Sequence, residues 1–262
     1  AFISFTGSVK AGYEVQKATT NKFISIALEL GGKDPAYVRH DADIDKTVEN
    51  LVDGSFFNSG QSCCGIERIY VDKKIYNNFL ELFINKTYNY KLGNPLNKDT
   101  NLGPVVKLSA AKFIKDQMNS AIKQGAKMMI DESKFEYPKE HKNYMIPQVL
   151  TEVNHEMNFM MEETFGPCVG IMPVDNDKQG INLMNDSPYG LTASIWTKDI
   201  EAAEKLGQEV NTGTLFMNRC DYLDPGLSWT GVKETGRGCS LSEVAYEHLT
   251  KPKSFHLRKE LK

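Results

Sequence analysis

The run Asn58-Ser59-Gly60-Gln61-Ser62-Cys63-Cys64-Gly65 places two adjacent thiols just after a glycine-containing turn. Such a pair can supply a nucleophile, a metal ligand, half of a disulfide or a small apolar filler. A metal site needs partners, and no Cys-x-x-Cys or clustered histidine accompanies these thiols. His40, His141, His155, His248 and His256 are scattered, so a cysteine–histidine pair would have to be assembled by folding. A disulfide between neighbouring cysteines is strained and rare. The plainest reading is a buried cysteine packing as a small hydrophobe. Against it, Gly60 and Gly65 bracket the thiols and allow close backbone approach by a ligand. Exposed N–H groups in such a turn stabilise a thiolate and, later, an oxyanion.

Three other stretches carry candidate chemistry. Glu29 ends an apolar run just before Gly31-Gly32. It reads either as a solvated strand terminus or as a partly desolvated general base that activates water. Gly7, Ser8 and Gly12 have the spacing of a phosphate-binding turn that opens a helix, and equally of a plain strand-to-helix turn. Tyr13 and Glu14 stand where a P-loop requires Lys and Ser/Thr, and the glycine pattern is not Gly-x-Gly-x-x-Gly. Glu162-Glu163-Thr164-Phe165-Gly166-Pro167 reads as a loop, or as a place to hold a ribose hydroxyl and stack on a flat ring.

The elements that must position these residues alternate between strand and helix. Strands are expected at 2–5 (buried), 23–30, 35–39, 68–71, 126–130, 168–174, 191–197 and 213–217. In the second, Ile24, Ile26, Leu28 and Leu30 share one face, leaving Glu29 on the other. A helix begins near Gly12. Another follows Asp41, Asp43 and Asp45, with Ile44, Val48, Leu51, Val52 and Phe56 at helical spacing, and it ends just before the cysteines. Further helices are expected through Ile75, Phe79, Leu82 and Phe83, over 108–123 and over 200–209, with loops at 91–104 and 131–143. This alternation implies an α/β fold: a mostly parallel sheet with helices on both faces, whose ligands gather at the carboxyl ends of the strands.

Composition removes several classes. The 262 residues are 40% apolar and 25% charged, enough for a sizeable core in one large domain or two small ones. A net charge of −3 with no basic block argues against nucleic acid. The apolar runs are too short to cross a bilayer, and no leader pattern opens the chain. Five cysteines, odd in number and thinly spread, suit a reducing compartment, so a cytoplasmic location is expected. A chain that opens in what reads as a core strand suggests a removed N-terminal portion or a split gene.

The motifs together resemble one family. In order, they are Phe5-Thr6-Gly7-Ser8, Leu28-Glu29-Leu30-Gly31-Gly32-Lys33, Phe56-Phe57-Asn58-Ser59-Gly60-Gln61-Ser62-Cys63, Glu162-Glu163-Thr164-Phe165-Gly166-Pro167, Tyr189-Gly190-Leu191 and Gly231-Val232-Lys233-Glu234-Thr235-Gly236-Arg237-Gly238. Order and content resemble the NAD(P)-dependent aldehyde dehydrogenase superfamily over essentially the whole chain. The resemblance implies that Cys63 is the nucleophile, with Cys64 its neighbour, and that Glu29 is the general base. It implies that Gly7 and Ser8 meet the dinucleotide pyrophosphate, with Gly12 closing the turn, and that the Leu30 backbone contacts the nicotinamide amide. It places Glu163 on the nicotinamide ribose and Phe165 on the ring. Ser62, Cys64, Asp221, Leu223 and Trp229 fall where the family lines its aldehyde tunnel. Trp229 replaces the commoner phenylalanine, and Thr230 a glycine.

The implied reaction is oxidation of an aldehyde to a carboxylic acid through a Cys63 thiohemiacetal and thioester, with NAD or NADP as cofactor and no metal. Family chains are nearly twice this length, so most of the cofactor domain is expected to be missing. The expected division is 1–31, a remnant of the dinucleotide-binding domain; 32–234, a catalytic domain; and 235–262, a C-terminal arm for oligomerisation. Expected partners are a small aldehyde, copies of the same chain and a separate N-terminal half. Leu223 and Trp229 favour an apolar or aromatic aldehyde. The alternatives are an inactive truncated or split subunit that needs its other half, and a residual cysteine esterase.

Overall fold

The computed structural model describes residues 1–138 and 140–260. Lys139, inside the expected 131–143 loop, and residues 261–262, at the end of the expected arm, lie outside them. The chain opens with β1 (Phe2–Thr6), α1 (Val9–Thr19), β2 (Ser25–Glu29) and β3 (Asp34–Val38). Next come α2 (Ile44–Phe56), β4 (Ile66–Asp72), α3 (Tyr76–Thr87), α4 (Leu108–Lys123), β5 (Lys127–Met128) and β6 (Gln148–Thr151). The order then runs α5 (Asn158–Met161), β7 (Cys168–Val174), α6 (Asp177–Asn185), β8 (Thr192–Trp196), α7 (Ile200–Gly207), β9 (Thr214–Met217), β10 (Gly236–Arg237) and α8 (Val244–Leu249).

Seven strands form the larger sheet in the order β5-β6-β7-β4-β3-β8-β9, and all pairs are parallel except β5 with β6. The central strands β3 and β4 are buried at every position. Such near-continuous burial is what a parallel sheet covered on both faces demands. One face packs on α2 and α3 through Val48, Leu51, Phe56, Phe79 and Phe83. The other packs on α4, α6 and α7 through Ile114, Met118, Ile181, Met184 and Leu206. The α2 helix starts where it does because the Asp43 side chain accepts from the Lys46 amide at 3.3 Å, and Asp45 adds a first-turn acid.

A second sheet holds β1, β2 and β10. There β1 runs parallel to β2, and β10 pairs antiparallel on the other side of β2, with Gly236 opposite Glu29. Strand β1 departs from expectation: Phe2, Ile3 and Phe5 are only half buried, because β1 is an edge strand of a narrow sheet. The expected 23–30 strand contracts to Ser25–Glu29, with Phe23 fully exposed. The expected 126–130 strand contracts to two residues. Strands β6 and β10 and helices α5, α6 and α8 have no counterpart in the sequence reading. They are short, and each carries too few apolar positions for a period to show; α6 buries only Gly180, Ile181 and Met184. Among the described residues, no helix is long and apolar enough to cross a membrane.

Candidate active site

The approach to Cys63 is a backbone built from unusual conformations. Helix α2 stops at Phe56, and Asn58, Ser59 and Gly60 then take φ values of 51°, 57° and 68° in succession. Left-handed backbone is costly for non-glycine residues unless the surroundings hold it. Here they do. Asn58 Nδ2 donates to the Gln61 carbonyl at 3.1 Å, Gln61 Nε2 donates to the Asn58 carbonyl at 3.0 Å, and Gln61 Oε1 accepts from the Val106 amide at 2.8 Å. Ser59 Oγ donates to the Gly103 carbonyl at 2.5 Å. Gly60 is required twice over, since a Cβ there would also run into the Gly166 carbonyl. The Gly65 amide donates to the Ser62 carbonyl at 3.1 Å, so both cysteines sit at the tip of a tight turn between α2 and β4.

All five cysteines are free thiols. Cys63 is half buried and packs against a small cluster of Cys64, Leu191 and Trp229. Its thiol ionises below the usual range, chiefly because the Cys64 side chain hydrogen-bonds to it; burial and the Glu163 and Glu29 carboxylates act in the opposite direction. Both carboxylates singled out in the sequence thus lie within electrostatic reach of Cys63. Cys64 Sγ lies 2.8 Å from Asp221 Oδ1, and Ser62 Oγ lies 3.3 Å from the same oxygen. Trp229 is buried beside Cys64, but Leu223 is half exposed and belongs to no part of that cluster.

Glu163 rests on the paired glycines. Its Oε1 accepts from the Gly32 amide at 2.9 Å, and a Cβ on Gly31 would meet Glu163 Oε2 at 2.6 Å. A Cβ on Gly32 would strike the Cys63 carbonyl, so the two glycines let carboxylate and cysteine turn approach one strand end from two sides. Burial, with help from the Glu67 charge, pushes the Glu163 carboxyl up to about 7. Phe165 is 41% exposed, on a backbone with φ of 51°.

The anchor for that strained loop is an ion pair that the sequence reading missed. Lys33 Nζ and Glu67 Oε2 lie 2.5 Å apart with both side chains buried. The Glu67 carboxylate also accepts from the Thr164 and Phe165 amides, each at 2.9 Å, and Lys33 donates to Thr164 Oγ1 at 2.9 Å. Two consecutive amides on one buried carboxylate fix the 163–165 backbone. No local pattern marks the pair: Lys33 stands between Gly32 and Asp34 ahead of β3, and Glu67 stands next to Arg68 in β4.

Glu29 lies at the carboxyl end of β2, and its Oε1 accepts a hydrogen bond from Ser240 Oγ. Ser240 in turn pairs with Trp229 through both backbone bonds, at 2.7 and 2.8 Å. Sequence reasoning had no means of finding Ser240, which arrives from the far end of the chain. The Gly7 amide donates to the Glu29 carbonyl at 3.0 Å, and Ser8 caps α1 by accepting from the Ala11 amide at 3.3 Å. No acidic side chain stands in the first turn of α1 to oppose an anion there. Gly12 packs on Leu30, with no room for a Cβ, and the Leu30 amide donates to the Thr235 carbonyl at 2.9 Å. Among the described residues, no group of three or more His, Cys, Asp or Glu is placed to hold a metal ion.

Comparison with known proteins gives a consistent picture. A model of the aldehyde dehydrogenase family matches residues 1–255. The chain is similar to betaine aldehyde dehydrogenase of Bacillus subtilis, at 31% identity over 97% of this chain and 52% of the relative. It is also similar to human 4-trimethylaminobutyraldehyde dehydrogenase, at 32% identity, again over 97% of this chain and 52% of the relative. Among solved structures, betaine aldehyde dehydrogenase from Staphylococcus aureus in complex with NAD+ superposes with a TM-score of 0.88 at 31% identity, covering 94% of this chain and 49% of that one. Lactaldehyde dehydrogenase from Escherichia coli gives a TM-score of 0.88 at 32% identity, covering 95% and 52%. The chain therefore spans about half the length of the curated relatives it matches. A cysteine at the tip of a left-handed turn, two carboxylates within reach of it and the match over residues 1–255 agree: the chain belongs to the aldehyde dehydrogenase family.

Proposed function

We propose that this chain carries the catalytic half of an NAD(P)-dependent aldehyde dehydrogenase, with Cys63 as nucleophile and Glu29 as general base. The observation that carries the reading is the convergence of Cys63, Glu29 and Glu163, contributed by different sheets and a distant loop, on one turn. Residues 1–31 then belong to the cofactor domain, 32–234 form the catalytic domain, and 235–262 serve as an arm. The exposed Val244, Tyr246 and Leu249 support a role for that arm in assembly with copies of this chain or with a chain carrying the other half. Five free cysteines support a reducing compartment such as the cytoplasm.

The residues fit a dinucleotide. The acid-free start of α1 with Gly7, Ser8 and Gly12 suits a pyrophosphate, the Leu30 backbone and Glu163 suit an amide and a ribose, and the half-exposed Phe165 ring suits a flat heterocycle. When bound, such a cofactor supplies the hydride acceptor. The chain's own groups do the rest. The Cys63 thiolate adds to the aldehyde carbon, and N–H groups of the turn are the donors that would stabilise the oxygen that gains charge. After oxidation, Glu29 takes a proton from the water that releases the acid from the thioester. Asp221, Ser62, Cys64, Leu223 and Trp229 form the substrate wall, and Trp229 favours an apolar or aromatic aldehyde.

The test is acyl trapping. The protein is given aldehyde and NAD(P), alone and together with a chain that carries the other half of a relative, and the Cys63 peptide is weighed. Glu29→Gln should accumulate the acyl adduct on Cys63 while steady-state turnover falls about a hundredfold or more, the usual weight of a general base. Turnover unchanged by Glu29→Gln, or no adduct on Cys63 in either setting, would sink the reading.

A further inference from the structure

The carboxylate read as the general base has a partner of its own. Ser240 Oγ donates to Glu29 Oε1, and among the described residues Glu29 Oε2 accepts no hydrogen bond. A general base needs one oxygen free to take the water's proton, on a carboxylate that keeps its orientation. A donor on the other oxygen fixes the orientation and leaves the first oxygen free.

The Ser240 hydroxyl is itself held from several sides. The Ser240 amide donates to the Trp229 carbonyl at 2.8 Å, and its carbonyl accepts from the Trp229 amide at 2.7 Å. Just before it, Gly238, at φ of 95°, passes so close to β2 that a Cβ there would meet Ala27 Cβ at 2.8 Å. The Gly238 carbonyl accepts from Thr230 Oγ1 at 2.7 Å. Just after it, Leu241 and Ser242 take φ values of 62° and 57°. Left-handed backbone at consecutive non-glycine residues persists only where the surroundings hold it. Here the Ser242 amide donates to the Pro225 carbonyl at 3.0 Å, and Ser242 Oγ lies 2.9 Å from Ser228 Oγ. Ser240 is thus tied on one side to β2, the strand that carries Glu29, and on the other to Trp229, which packs in the cluster against Cys63.

We propose that Ser240 is a positioning residue for Glu29: its hydroxyl holds Oε1, so that Oε2 stays available to the water that releases the acyl group from Cys63. The inference rests on the reading of Cys63 as nucleophile and Glu29 as base. In this role Ser240 touches neither the acyl group nor the water, and it acts on release of the acyl group rather than on its formation. The Ser240 proton stays on Oγ; the proton that moves passes from water to Glu29.

An activated ester, p-nitrophenyl acetate, tests the proposal without any cofactor. The Cys63 sulfur bonds to the acetyl carbon as p-nitrophenolate leaves. Water then adds to that carbon, Glu29 takes its proton, and acetate departs as the sulfur regains a proton. Release of p-nitrophenolate reads acylation, and the acetylated Cys63 peptide, weighed over time once the ester is removed, reads deacylation. Ser240→Ala should slow deacylation about tenfold, the lower range for a hydrogen bond to a charged group, and leave acylation within about twofold. Ser240→Thr returns the hydroxyl and should bring deacylation back to within about threefold. On a Glu29→Gln background, Ser240→Ala should change deacylation by less than about twofold, because a residue that acts through the base has nothing left to act on. Deacylation that is unchanged in Ser240→Ala, slowed alike in Ser240→Ala and Ser240→Thr, or slowed as much on the Glu29→Gln background would overturn the proposal. Should Ser240→Ala fail to fold, Ser240→Cys, whose thiol is a weak donor, carries the same expectation. Deacylation that responds to Glu29→Gln and not to Ser240→Ala would remove this inference alone. Cys63 left unacetylated, or deacylation indifferent to Glu29→Gln, would remove the functional reading and this inference with it.

Discussion

At the scale of single residues, the five thiols are ranked by their surroundings. Burial raises Cys168 and pushes Cys220 up to about 12, and Cys64 is raised by its bond to Cys63 and by burial. Cys63 alone among these four is lowered while half exposed. Iodoacetamide at pH 7 should therefore label Cys63 more than about tenfold faster than Cys64, Cys168 or Cys220, since thiolate fraction falls tenfold per pH unit of upward displacement. Faster labelling of any of those three would displace Cys63 as the nucleophile. Glu163 carries a second expectation. Its folded carboxyl ionises at about 7, against an ordinary value of 4.5, so the folded state keeps the extra proton between those values. Stability from this group is full below the ordinary value and is lost as pH rises through 7, by an amount on the order of 3 kcal/mol. Glu163→Gln keeps the acceptor for the Gly32 amide without the charge. Its melting temperature should match that of the unsubstituted protein near pH 4.5 and exceed it progressively toward pH 8. A difference that stays flat with pH would refute the assignment. Cys63, Glu29 and Glu163 were legible in the sequence because each sits in a short run with glycines beside it. Ser240, Lys33 and Glu67 were not, because their roles depend on partners brought in by folding, such as the Thr164 and Phe165 amides.

At the scale of elements, the long pieces were legible and the short ones were not. Helix α4 spans 108–123 and β7 spans 168–174, as their periodicities predict, because each carries enough apolar positions to show a period. Strand β10 has two residues and exists only through its pairing with β2, a fact no local pattern can express. The join between β3, β4 and the 163–165 loop shows how a buried charge organises elements. Replacing Glu67 by Leu should destabilise the protein by about 3–5 kcal/mol, because the Lys33 ammonium would be left buried without an opposite charge beside it, with the Thr164 hydroxyl and the Phe159 ring as partners. Combining Glu67→Leu with Lys33→Met should recover most of that loss in urea unfolding. It should still leave the Thr164 and Phe165 amides without an acceptor, at about 1–3 kcal/mol each. Hydrogen exchange at those two amides should accordingly speed up in the double variant although it folds. A double variant no more stable than Glu67→Leu alone would show that the pair's electrostatics are not what holds the loop.

At the scale of the whole molecule, the proposed chemistry is divided between two sheets. Glu29 belongs to the three-stranded sheet, and Cys63 precedes β4 of the seven-stranded one, so their meeting depends on how the sheets are joined. The connection between β2 and β3 is only residues 30–33, and Thr235 clamps it. Thr235 is fully buried; its Oγ1 donates to the Gly31 carbonyl at 2.9 Å and accepts from the Gly190 amide at 3.0 Å, while its carbonyl takes the Leu30 amide. One side chain thus ties the strand carrying Glu29 to the loop that leads into β8. Within the smaller sheet, β1 pairs only with β2 and leaves half-exposed apolar side chains at its other edge. Thr235→Val keeps the shape and removes both side-chain hydrogen bonds, at about 1–3 kcal/mol for each buried group left unpaired. That loss should fall on the joint rather than on the core. Amide exchange is expected to accelerate in β1 and β2 while β3 and β4 keep their protection, and Thr235→Ser should restore the original pattern. Because Glu29 would then wander relative to Cys63, release of the acyl group should slow in Thr235→Val more than its formation does. Exchange that accelerates equally in both sheets would mean that the two sheets open as one unit, and that Thr235 does not set the distance between base and nucleophile.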